Sequence, residues 1–88
     1  MTTSEAPLVE SRGITLEAVR HVLWHLGDER YGVQPGTFTK RLMSALVVAD
    51  SENRELLAKS FPDLAAAFGL YRAEGDEALR AIARAATL

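Results

Sequence analysis

At 88 residues the chain has room for one domain and not for two. A hydrophobic share of 48% and a charged share of 25% are those of an ordinary globular domain, and a net charge of −2 gives no sequence-wide attraction to nucleic acid or anionic membrane. The absence of cysteine excludes disulfides, thiolate nucleophiles and sulfur-ligated zinc together.

Residues 1–12 are polar, carry two acids before Arg12 and have no hydrophobic period, so a flexible, disordered arm is predicted there rather than a signal peptide. A single helical domain is predicted over residues 13–88. Helix 1 starts near Thr15, whose hydroxyl can cap the first turn, and stops at Gly27. At 100° per residue Leu16, Ala18, Val19, Val22, Leu23 and Leu26 gather on one side. Glu17, Arg20, His21 and His25 fill the other, and Trp24 falls among them.

Asp28 to Gly36 reads as a turn-rich loop punctuated by two glycines and a proline. Helix 2 begins at Gly36 or Thr37 with Phe38, Leu42, Ala45, Leu46 and Ala49 on one stripe. Its end, Ala45 to Ala49, is apolar nearly all round, which predicts a central helix covered on several sides. Asp50 or Ser51 caps a short helix 3 with Leu56, Leu57 and Phe61 inward. Pro62 and Asp63 suit the first turn of helix 4, which places Leu64, Ala67, Phe68 and Tyr71 on one face. Gly75 breaks the chain, and Asp76 caps helix 5, whose inner side is Leu79, Ile82, Ala83 and Ala86.

No segment alternates with period two. The predicted fold is therefore all-α, a compact bundle of four to five short helices. Its core is expected to hold Leu23, Leu26, Phe38, Leu42, Leu46, Phe61, Leu64, Phe68 and Ile82. No apolar run approaches the roughly 20 residues that cross a bilayer, so no membrane partner is expected and the cytoplasm is the expected location.

His21 and His25 lie four apart, a spacing that can share a metal, with Asp28 just beyond. There is no further histidine and no cysteine to complete the ligand set, so the pair reads as two solvent-facing histidines. No metal and no cofactor are expected. Ser44 and Ser60 have no histidine nearby in sequence, and no phosphate loop or paired-carboxylate motif appears. A bundle of this size also has little room for a substrate cavity of roughly 300 Å³ or more. The chain is not expected to be an enzyme.

The segment from Gly32 to Leu42, GVQPGTFTKRL, resembles the turn and recognition helix of helix-turn-helix repressors. That resemblance implies Thr37, Thr39, Lys40 and Arg41 as residues facing a DNA major groove. The preceding Gly27-Asp28-Glu29-Arg30 looks like a helix end instead of a packed first helix, and clustered base is scarce. DNA binding is therefore the alternative and not the expectation.

A longer stretch, Tyr31 to Phe68, carries PGTF followed by a basic pair and leucine, then AD-x-ENR-x-LL, then FPDL. This pattern resembles small uncharacterised proteins of actinobacterial phages and their hosts. The resemblance implies a phage or actinobacterial origin and no particular activity. Eight arginines against two lysines, with fourteen alanines, agree with the GC-rich coding that such an origin would bring.

Trp24 breaks the amphipathic pattern of helix 1. Either the arm or helix 5 covers it, or it is a partner surface, since Trp, Tyr and Arg most often dominate interface energies. Protein–protein binding through Trp24, Arg20, His21 and Glu17, to a second copy or to a host protein, is the expected function.

Overall fold

The computed structural model describes residues 14–87, so the predicted arm, residues 1–12, lies outside the described residues. Five helices follow one another: α1 (Leu16–His25), α2 (Thr37–Val48), α3 (Ser51–Ser60), α4 (Pro62–Glu74) and α5 (Asp76–Ala86). No strand occurs among the described residues. None of these helices is long and apolar enough to cross a membrane.

Local chemistry sets most of the boundaries. Thr15 caps α1 by accepting from the Ala18 amide at 3.1 Å. Ile14 and Val19, at the positions flanking that cap where a hydrophobic staple forms, are both buried. At the other end Asp28 N donates to the Leu23 carbonyl at 2.9 Å and Gly27 N to that of Trp24 at 3.0 Å. This is a Schellman closure, and it requires the left-handed φ of +89° that Gly27 adopts without steric cost. Asp50 caps α3 by accepting from Asn53 N at 2.9 Å. Pro62 opens α4 in the first turn, where no amide hydrogen is needed. Gly75, again at +89°, ends α4 and starts α5. The Asp76 side chain makes no cap bond; its carboxylate pairs with Arg80 at 2.9 Å.

Helices α1, α4 and α5 pack against one another and form the centre. Val19, Val22 and Leu23 of α1, Ala67 and Phe68 of α4, and Leu79 and Ala83 of α5 are buried there. Helix α2 rests on α1 and α4 through Leu42, Met43 and Leu46, and α3 packs on α4. The predicted central position of helix 2 is thus corrected: Val47 and Val48 are 51% and 82% exposed. Three other placements are corrected as well. Phe38, expected in the core, is 67% exposed, Leu56, expected inward, is 56% exposed, and Ala86, expected on the inner side of helix 5, is exposed. Leu26, Phe61 and Ile82 are half-buried against the core, while Leu23, Leu42, Leu46, Leu64 and Phe68 are buried as predicted. The reason lies in side-chain size: small residues on α5 and α4 let their backbones approach α1 closely, so the alanine-rich helices take the centre.

Helix α2 has no basic residue in its last turn. Its C-terminal carbonyls are met from outside, Leu46 by Arg72 of α4 at 3.0 Å and Ala49 by Arg54 of α3 at 2.9 Å. These two bonds hold a peripheral helix whose apolar contact is one-sided.

Candidate functional site

Of the four residues expected to form one protein-binding patch on α1, three are divided between two clefts and Trp24 lines neither. Glu17 and His21 line a groove of about 200 Å³ with Phe38, Leu42 and Phe61. Its polar remainder is Thr39 and Asp63. The ring of Phe38 lies 5.8 Å from that of Phe61, tilted by 52°. Arg20 lines a different cleft of about 290 Å³ with Arg30, Tyr31, Gly32, Val33 and Thr87.

Trp24 falls between the two on the helix surface, as 100° per residue requires. It is half-buried and packed against the core. Its described cover includes Lys40 of α2, whose ammonium stands 5.4 Å from the indole centroid. Close beneath runs the connector: a Cβ on Gly32 would sit 2.7 Å from both Cα and N of Trp24, and nearer still to the Asp28 carbonyl. Only glycine permits that approach.

His21 and His25 are half-buried instead of solvent-facing. The His25 ring meets the buried Phe68 ring edge-on at 5.8 Å and 77°. Among the described residues no three His, Cys, Asp or Glu side chains converge as a metal cluster would.

The residues implied by the helix-turn-helix resemblance are dispersed in role. Thr37 and Arg41 are exposed, Thr39 forms part of the Phe38 groove, and Lys40 turns to Trp24. Residues 26–36 separate α1 from α2, more than the three- or four-residue turn of that motif.

The displaced acidities belong to one ion-pair cluster. Arg80 reaches Asp28 at 3.3 Å, Asp76 at 2.9 Å and Glu77 at 3.1 Å, and Arg84 reaches Glu77 at 3.0 Å. The Tyr31 amide, donating to Asp28 at 2.8 Å, holds that carboxyl below its ordinary range, with Arg80 adding to the effect. Hydrogen bonds from Arg84 and Arg80 do the same for Glu77. This cluster ties the connector to α5 and surrounds no cavity of the two described.

Sequence reading missed the outward side of α2. At 100° per residue Phe38, Ala45 and Val48 lie within one sector, opposite the buried Leu42, Met43 and Leu46 or at its margin. The signal was present in the periodicity, but an all-round apolar helix end gives two equally good choices of buried face. No family model matches the chain, and neither a curated protein nor a solved structure matches it.

Proposed function

We propose that this protein is non-catalytic and acts by protein–protein contact, through the outward face of α2 and the neighbouring groove beside Glu17 and His21. The observation that carries this reading is the placement of Phe38 and Val48, large apolar side chains left 67% and 82% exposed on one helix. Single exposed apolar residues are ordinary, but the Phe38 ring continues into a groove with Leu42, Phe61 and Leu64, and an apolar surface of that kind favours burial against a partner. The displaced acidities support the non-catalytic part, because each arises from hydrogen bonds and ion pairs within the fold, the Tyr31 amide first for Asp28 and Arg84 first for Glu77. The partner is a second copy of the chain or a host protein. The resemblance of the Tyr31 to Phe68 segment to small actinobacterial phage proteins supports the second case, and would make the host cytoplasm the place of action.

Sedimentation velocity over a wide concentration range tests self-association. We expect a concentration-dependent increase in mass that Phe38→Asp abolishes. If the parent stays monomeric, photo-crosslinking from position 38 in host cells tests the remaining case. Absence of both a dimer and a crosslinked adduct would overturn the proposal.

A further inference from the structure

The cleft on the Arg20 side of α1 has a chemistry of its own. The Arg20 Nε is buried and has no hydrogen-bond partner among the described residues. A buried, charged donor left without an acceptor is costly, and native structures satisfy nearly all of them, with ordered water or a bound ion where no protein group serves. Arg30 lines the same cleft, its guanidinium 5.2 Å from the centroid of the Tyr31 ring. Arg84 approaches that ring at 6.0 Å, but Glu77 answers its charge. Among the described residues neither Arg20 nor Arg30 forms an ion pair with a carboxylate. Two guanidinium groups without a carboxylate partner among the described residues therefore line one cleft in a chain whose net charge is −2.

The cleft is also held in shape. The Val33 amide donates to the Arg20 carbonyl at 3.0 Å, which fastens the returning connector to α1. Asp28 Oδ1 accepts from the amides of Arg30 and Tyr31 at 2.9 and 2.8 Å, fixing the turn that carries both side chains. Gly32 lies against the α1 backbone. Thr87 closes the wall, its hydroxyl already donating to the Arg84 carbonyl at 2.9 Å. Among the described residues neither guanidinium group has a hydrogen-bond acceptor.

We infer that this cleft binds a phosphate monoester, with Arg20 and Arg30 as its two anchors. Guanidinium groups match phosphate oxygens in pairs, and two of them offer more donors than one carboxylate can accept. The volume of about 290 Å³ exceeds that of the phosphate itself and leaves room for a small organic group, against which the partly exposed Val33 lies.

Titration with phenyl phosphate, followed by amide chemical shifts and by melting temperature, tests this assignment. A saturable shift at Gly32, Val33 and Thr87 is expected, with a rise in melting temperature that sodium chloride at matched ionic strength does not reproduce. Benzoate should bind more weakly by roughly tenfold, since it offers fewer acceptor oxygens. Arg30→Met removes an exposed side chain and leaves the fold intact, so its loss of affinity, roughly tenfold or more, reads binding alone. Arg20→Met should weaken binding at least as much. Equal effects of chloride and phenyl phosphate, or undiminished binding in Arg30→Met, would overturn the site.

Discussion

Arg80 on the last helix donates to Oδ2 of Asp28 at 3.3 Å, a link across 52 positions of sequence that joins the α1–α2 connector to α5. The Asp28 side chain is only 9% exposed, and its other oxygen accepts two backbone amides. A carboxylate bound in this way is stabilised as the charged form, so its folded-state pKa lies below the ordinary unfolded value. The unfolded chain then takes up the proton first as pH falls. The contribution of Asp28 to stability is complete above the unfolded pKa and is lost as pH falls through the folded one. Asp28→Ala should lower stability at neutral pH by about 1.5–3 kcal/mol, the range for hydrogen bonds to a charged group. Denaturant titrations at pH 7 and pH 3 should show a smaller difference in the variant than in the parent. An unchanged difference would detach the connector from the acid response.

The packing centre can be located by comparing two leucines. Leu23 on α1 is completely buried among α1, α4 and α5, whereas Leu42 lies 8% exposed on the peripheral α2. Leu23→Ala should cost toward the upper end of the roughly 2–5 kcal/mol seen for core leucines, and Leu42→Ala toward the lower end. Phe38→Ala should cost about 1 kcal/mol or less, because its ring is mostly in water. Chemical denaturation of the three variants gives the order directly, and the reverse order for the leucines would restore α2 to the centre.

Gly32→Ala tests the close approach of the connector to α1. The added methyl would overlap the Trp24 backbone and the Asp28 carbonyl, neither of which is a side chain free to rotate away. The backbone must shift, at a cost of about 1–3 kcal/mol, typical of overpacking. A melting temperature equal to that of the parent would mean that the loop has slack there.

Trp24 should behave as a half-buried residue. Its indole packs on the core on one side and lies under the Lys40 ammonium on the other. Iodide should quench its emission only partly, and Lys40→Ala should increase the quenching by uncovering the ring. Trp24→Ala should destabilise the domain by about 1–3 kcal/mol, less than a fully buried tryptophan would. Full quenching in the parent would place the ring in solvent.

Most helix starts and stops were legible in the sequence because those signals are local, although Asp76, expected to cap α5, lies inside it. Thr15 and Asp50 present side-chain oxygens three residues before an amide that needs them. Gly27 and Gly75 stand where the backbone turns left-handed, and Pro62 stands where a missing amide hydrogen costs nothing. The division of the candidate site was not legible. Glu17, Arg20, His21 and Trp24 share one side of a helical wheel, and that is all the wheel reports. Whether they meet one surface or two depends on where the connector returns and how α2 crosses α1, and those are set by contacts distant in sequence, Gly32 on Trp24 and Val33 on Arg20 among them. The same holds for the centre of the bundle. Hydrophobicity along the chain favoured the valine-rich end of α2, but close packing favours helices whose small side chains let backbones meet, and Ala67 of α4 and Ala83 of α5 are fully buried while Val48 is 82% exposed. Apolar content counts what each helix could bury by itself; which of it is buried depends on shape complementarity between helices, a property that first exists when they are placed together.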